Sequence, residues 1–125
     1  MGKYVNLAGR LLLGQIFLLA GLNKIPGYAG TQAYMESMGV PGALLPLVLL
    51  LEIGGGLAVI LGWQARLASY ALALFTLVAA VIFHSNFGDQ MQMIMFMKNL
   101  AIVGGLLILA GNGAGGLSLD GRRRA

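Results

Sequence analysis

The sequence contains no cysteine, one histidine and few charged residues. Without cysteine, the chain forms no disulfides, carries out no thiol redox chemistry and binds no metal through thiolates. One histidine also excludes a multi-histidine metal centre, so we predict no metal site. Only 10% of the residues are charged, whereas a typical soluble domain has about 25%. So few charges cannot cover a surface that faces water, which indicates an integral membrane protein.

Apolar residues take the place of the missing charges. They make up 58% of the 125 residues, and the mean hydropathy is +0.85. Four apolar segments each approach the roughly 20 residues that span a bilayer. They cover residues 5–25, 43–62, 66–87 and 92–111. We therefore predict an all-α fold, a bundle of four transmembrane helices embedded in the lipid bilayer. Residues 1–125 form a single domain, and the Gly-rich stretch 112–125 is predicted to be a flexible tail.

The first connection contains a further helical signal. In the stretch TQAYMESMGV, Tyr34, Met35 and Met38 lie at helical spacing, and Gly39 stands where a helix would end. This predicts a short interfacial helix between helices 1 and 2. The alternative is an ordinary surface turn.

Lysine and arginine are distributed unequally between the two sides of the predicted bundle. Lys3, Arg66 and Arg122–Arg124 fall on one side, and Lys24 falls on the other. The positive-inside rule then places both termini in the cytoplasm of a multi-pass inner-membrane protein. The arginine cluster is interpreted as a topology signal. Because no base-stacking aromatic residues accompany it, we predict no nucleic-acid partner.

Ionisable residues occur inside or at the ends of all four predicted helices. With a rise of about 1.5 Å per residue, Glu52 lies roughly 13 Å and Lys98 roughly 10 Å below the outer surface. His84 lies nearer that surface, and Lys24 lies at the rim. A charge within the membrane costs about 2.5–3.5 kcal/mol on insertion scales. Together with Asn99, these residues are candidates for a ligand-binding pocket, and no catalytic residue is identified.

Small residues mark the faces on which the helices are expected to pack. Small side chains let helices approach closely in lipid. The candidate packing residues are Gly14, Gly21, Gly55, Gly56 and Gly105. If they faced outward, the same residues would serve a homo-oligomer instead.

Three roles for Glu52 remain open at this point. It pairs with Lys98, or with Lys24 across the first helix, or it stays protonated because burial disfavours the charged form. A Glu–Lys pair would fix the helix register, line a pocket for a polar or quinone-like group, or belong to a proton path. The methionines in MQMIMFM (residues 91–97) are interpreted as packing residues rather than metal ligands.

Several sequence elements occur in an order that resembles the DoxX family. They are AG-x-x-K, ending at Lys24, E-x-G-G-G, starting at Glu52, FH at residues 83–84 and KN-x-A-x-x-GG, starting at Lys98. The resemblance covers nearly the whole chain. It implies a four-helix protein, commonly of the bacterial inner membrane, similar to a subunit of a thiosulfate:quinone oxidoreductase or to partners of membrane redox-defence complexes. Roles for individual residues do not follow from it.

We therefore expect an accessory, oxidoreductase-associated membrane component rather than a self-sufficient enzyme. It would have no intrinsic cofactor, would bind a quinone or another amphipathic small molecule, and would work with a membrane or periplasmic redox partner. The alternatives are a small proton-coupled transporter or lipid carrier, in which Glu52 is a protonation switch, and a structural membrane scaffold.

Overall fold

The computed structural model describes residues 2–84 and 86–124, and this part of the chain is helical with no strand. Residues 1, 85 and 125 belong to the expected domain, and residue 85 to the expected third span, but they lie outside the described residues. The helices are α1 (Gly2–Lys24), α2 (Tyr28–Ser37), α3 (Gly42–Leu61), α4 (Ala65–Phe83), α5 (Gln90–Asn112) and α6 (Leu119–Arg124).

Four of these helices are long and apolar enough to cross a membrane. They are α1, α3, α4 and α5, with 23, 20, 19 and 23 residues. The predicted all-α, four-span fold is confirmed, and α2 is the short helix expected between the first and second spans. Gly39 follows the end of α2 with a φ of +82°, a conformation that glycine adopts without the steric cost that a Cβ atom brings.

The ends of the spans differ from the expected ones by a few residues. The third span, α4, ends at Phe83, and α5 begins at Gln90 rather than at residue 92. The earlier start has a local cause, because the carboxylate of Asp89 accepts a hydrogen bond from the backbone N–H of Met91 at 2.9 Å. This is an N-cap, which satisfies one of the unpaired donors of the first helical turn.

The spans pack mainly as two pairs, α1 along α3 and α4 along α5, and α3 also contacts α4. Between α1 and α5 the contact is sparser. Phe17, Val59, Leu72 and Leu106 form the centre of the core, one from each span. Most large apolar side chains elsewhere on the spans are exposed. In a membrane this exposed apolar surface contacts lipid, so a small core is sufficient.

The expectation of a flexible tail is wrong for residues 113–121. The carboxylate of Asp120 accepts hydrogen bonds from the backbone N–H groups of Gln64 and Ala65, both at 2.9 Å, and Asp120 N–H donates to the carbonyl of Gly62. Asp120 therefore caps the start of α4 from the far end of the chain. Ala114 and Ser118 are buried. A glycine-rich composition indicated a linker, but positive φ angles at Gly113 and Gly115 let this segment fold back onto the bundle.

Candidate functional site

The second span is not a regular helix where it carries its acidic residue. Residues Leu50–Gly54 form a π-helical turn inside α3, and Glu52 lies within it with only 4% of its surface exposed. Such turns are rare and occur often at functional sites. Gly21 of α1 lies opposite, and a Cβ atom there would be 3.3 Å from Glu52 Cβ and 2.6 Å from Ile53 Cγ1. A glycine at position 21 thus lets α1 approach this turn.

Glu52 is paired with the last residue of α1. Lys24 Nζ donates to Glu52 Oε1 at 2.5 Å, and the two side chains are 30% and 5% exposed. The Lys24 ammonium also lies at the carbonyl end of α1, where the helix dipole favours a positive charge. The pair joins α1 to α3 and offsets the cost of burying the carboxylate. We call this end of the bundle the Lys24 end. The opposite end holds a second buried charged residue, Arg10 of α1, and we call it the Arg10 end.

Of the two ion pairs left open for Glu52, the one with Lys24 forms and the one with Lys98 does not. Lys98 is exposed and makes no ion pair with the described residues. The cause is the register of α5, in which Asn99, Ile102 and Leu106 turn toward the bundle. Lys98 is one residue, about 100°, away from that face. Its long side chain is suited to snorkel along the helix toward the membrane surface.

The other candidate residues lie at the Lys24 end without joining the ion pair. Asn99 is half-buried in α5, and His84 is half-buried just after α4, where its backbone N–H donates to Ala80. The role of both in a ligand pocket stays a prediction. No group of three or more His, Asp or Glu side chains placed to hold a metal ion occurs in residues 2–84 and 86–124.

Helix α2 covers the Lys24 end. The Tyr34 ring stacks on Phe83 with a centroid distance of 5.4 Å, and Gln32 Nε2 donates to the carbonyl of Gly42 at 3.1 Å. Met35 is buried beneath the helix. Through these contacts α2 bridges the beginning of α3 and the end of α4.

The candidate packing glycines differ in how closely they are approached. A Cβ atom at Gly14 would be 2.8 Å from the carbonyl oxygen of Gly56, and one at Gly56 would be 2.9 Å from the carbonyl oxygen of Gly14. At Gly55 it would be 3.0 Å from Leu72 Cδ2. At Gly105 the nearest atom, Leu13 Cδ1, is at an ordinary 3.8 Å. The tightest approach therefore lies between α1 and α3.

Arg10 is a buried residue that the sequence analysis did not place among the site candidates. Only 1% of its surface is exposed, and its guanidinium donates to Asn6 Oδ1 at 2.8 Å and to the Ile60 carbonyl at 2.8 Å. It also donates to the carbonyls of Val59 and Leu117. The sequence contains a signal for this burial, because Arg10 lies at helical spacing from Gly14, Phe17 and Gly21. These are the other buried residues of α1.

Two cavities lie at the Arg10 end. One, of about 620 Å³, is formed by the start of α4, the end of α5 and the segment from Gly113 to Gly121. The other, of about 860 Å³, is an apolar groove between α1 and α5, where the two helices are in sparse contact.

Comparison with known proteins adds a family and several relatives. The DoxX family model matches residues 5–85. The inner membrane protein YqjF of Escherichia coli (strain K12) is 54% identical over 114 residues, which cover 91% of this chain and 88% of the relative. The inner membrane protein YphA of the same organism is 35% identical over 123 residues, 93% and 88% of the two chains.

A third relative is matched over a shorter stretch. CatD of Bacillus subtilis (strain 168), whose name proposes an oxidoreductase, is 34% identical over 73 residues, which cover 58% of this chain and 54% of the relative. No solved structure matches the chain.

Proposed function

The chain belongs to the DoxX family, and from this premise we propose that it binds a quinone-like amphiphile at the Lys24–Glu52 pair as an accessory component of an inner-membrane redox system. The location is supported by the names of YqjF and YphA, both inner membrane proteins, together with four helices able to span a membrane. The redox association is supported by the name of CatD. The Lys24 end faces the periplasm and both termini face the cytoplasm, according to the distribution of Lys and Arg.

The observation that carries the proposal is the unequal burial of the ion pair. Glu52 is almost fully buried in its π-helical turn, whereas Lys24 keeps 30% of its side chain exposed. An ammonium group has three N–H donors, and Glu52 uses one of them. The remaining donors of Lys24 are suited to the carbonyl oxygens of a quinone head group. Glu52 holds the ammonium in place, and the isoprenoid tail would lie against the apolar helix surface.

The role is binding and positioning, and the electrons would be supplied by a partner oxidoreductase. Since the chain has no cysteine, a thiol relay within it is excluded. Lys98 lies outside the ion pair and takes no part in the proposed contact. It therefore provides a matched control, a second lysine near the same end of the bundle.

The proposal is tested by measuring quinone binding. A short-chain ubiquinone analogue and a menaquinone analogue are titrated into the full-length protein in lipid nanodiscs, with calorimetry as the readout. A hydrogen bond to a charged group contributes about 1.5–3 kcal/mol, so Lys24→Met should weaken binding about tenfold or more. Glu52→Gln should weaken it less, since Lys24 remains, and Lys98→Met should leave it unchanged.

Two results would count against the proposal. Equal binding in the wild type, Lys24→Met and Glu52→Gln would remove the ion pair from ligand recognition. A doubly exchanged Lys24→Glu/Glu52→Lys protein that retains both stability and function would assign the pair to helix register, as expected of a scaffold. The scaffold role is supported by the close Gly14–Gly56 approach between the same two helices.

A further inference from the structure

The polar cavity at the Arg10 end has no role in the proposed quinone site. Its volume is about 620 Å³, and its wall includes the first residues of α4 and the last residue of α5. The remaining wall is the glycine-rich segment that folds back from α5. Because α4 begins and α5 ends beside this cavity, it lies at the level of one membrane surface, on the side opposite to Lys24.

Arg66 supplies a positive charge to this cavity. Its side chain is exposed and makes no ion pair with the described residues. The guanidinium lies against the backbone of Gly113, where a Cβ atom would be 3.1 Å from Nε and 3.3 Å from Nη2. Gly113 has a φ of +79°, so both the space and the backbone conformation favour glycine there. The planar guanidinium fork is suited to bind two oxygens of one phosphate group.

Backbone N–H groups add a second set of donors. Those of residues 114–118 have no hydrogen-bond acceptor among the residues that the structure describes. Ala114, Gly115 and Gly116 line the cavity, and Ala114 is buried. Backbone N–H groups of buried residues are rarely left without a partner. Consecutive N–H groups in a segment with positive φ angles are a common way to bind an anion.

The charges around the cavity favour an anion. Its lining includes one carboxylate, that of Asp120, and both oxygens of this group already accept hydrogen bonds from Gln64 and Ala65. Arg10 donates to the Leu117 carbonyl in the same segment, and Lys3 packs against Gly116. Arg66, Arg10 and Lys3 therefore contribute three positive charges near the cavity, whereas the one carboxylate in its lining is already engaged.

We propose that this cavity binds a phosphate group through the Arg66 guanidinium and the free N–H groups of Ala114, Gly115 and Gly116, which line it. The phosphate has two sources at a membrane surface, the head group of an anionic phospholipid and a soluble phosphate compound. Both present the same oxygens to Arg66. The site is independent of the Lys24–Glu52 pair, which lies at the other end of the bundle.

The chain carries a probe for this site. Trp63 is its single tryptophan and directly precedes Gln64, which lines the cavity. The full-length protein in neutral detergent is titrated with short-chain phosphatidylglycerol, with inorganic phosphate, and with a diacylglycerol of the same chain length, while Trp63 fluorescence is recorded. We expect a saturable change with phosphatidylglycerol or with phosphate, and none with the diacylglycerol. Saturation by phosphatidylglycerol alone identifies a lipid site, and saturation by phosphate identifies a soluble ligand.

Substitutions decide whether Arg66 is responsible. Arg66→Gln should raise the dissociation constant about tenfold, and Arg66→Lys should raise it less, because the charge is kept and the fork is lost. Lys98→Gln removes the same charge at the far end and should have no effect. Because Arg66 is exposed, these variants should keep their helical circular dichroism. An unchanged constant in Arg66→Gln, or an equal response to the diacylglycerol, would overturn the proposal.

Discussion

At the scale of single residues, the two charged side chains that are buried among the described residues are stabilised in different ways. Glu52 is compensated by an opposite charge, Lys24, which reaches it from the neighbouring helix. Arg10 is compensated by backbone carbonyls, including those of Val59 and Ile60 at the end of α3. Both solutions satisfy the same requirement, because an unpaired charge within a membrane is costly. One pair of helices, α1 and α3, therefore carries both.

The Lys24–Glu52 pair is expected to contribute to stability as a coupled unit. Lys24→Met leaves a carboxylate that is buried and unpartnered, so it should destabilise the protein more than Glu52→Gln, which leaves the partly exposed lysine. The coupling energy should be about 1–2 kcal/mol, since the exposure of Lys24 reduces the interaction. A double-mutant cycle of unfolding free energies in detergent measures it. Additive effects of the two substitutions would contradict the pair.

The sequence placed Glu52 within a membrane span correctly but left its partner open. Lys24 lies at the rim and Lys98 roughly 10 Å below the outer surface, and both lysines were within reach of Glu52. What separates them is the rotation of α5 about its axis, which turns Asn99 inward and leaves Lys98 exposed. A difference of one residue moves a side chain by about 100° around a helix. Such a rotation depends on packing between helices and cannot be derived from periodicity in one short span.

At the scale of elements, close approach of α1 and α3 positions the ion pair. A Cβ atom added at Gly14 would lie only 2.8 Å from the carbonyl oxygen of Gly56. Two turns further along α1, the missing side chain of Gly21 allows an equally close approach of the two helices beside Glu52. The helices were predictable from length and hydropathy. The π-helical turn of Leu50–Gly54 was not, because its apolar composition is that of an ordinary span.

Gly14→Ala should therefore destabilise the protein, whereas Gly9→Ala should not. The added methyl group at position 14 meets the Ile60 side chain and the backbone carbonyl of Gly56 in α3. The carbonyl cannot move without shifting the helix, and overpacking costs about 1–3 kcal/mol. At Gly9 no atom lies within 4 Å of the added Cβ. There the higher helix propensity of alanine should stabilise by up to about 1 kcal/mol. Thermal unfolding in detergent compares the two variants, and equal midpoints would argue against close packing at Gly14.

The folded-back segment 113–121 should depend on Arg10. Arg10→Met removes the hydrogen bond to the Leu117 carbonyl and those to the end of α3, at a cost on the order of 2–4 kcal/mol. Amide hydrogen exchange of residues 113–121 should become faster, while that of the α4–α5 core changes little. Lys98→Met, which removes an exposed cation far from this segment, serves as the control. Unchanged protection of this segment in Arg10→Met would contradict the role of Arg10 as its anchor.

At the scale of the whole molecule, the two ends of the bundle differ in chemistry. The Lys24 end holds a buried carboxylate and the short helix α2, and the Arg10 end holds exposed and buried cations near a cavity with polar lining residues. A membrane protein with such ends has one preferred orientation, because Lys and Arg near short loops are retained in the cytoplasm. The quinone proposal and the phosphate proposal consequently concern opposite membrane surfaces.

The orientation itself can be measured with unusually low background, because the chain has no cysteine. Gly27→Cys lies at the Lys24 end and Gly2→Cys at the Arg10 end, and both positions are exposed with no atom within 4 Å of an added Cβ. With both termini in the cytoplasm, a membrane-impermeant maleimide should label Gly27→Cys in intact spheroplasts. It should label Gly2→Cys only after the membrane is permeabilised. The reverse pattern would invert the bundle and move the Lys24–Glu52 pair to the cytoplasmic half, where a quinone would meet a different set of partners.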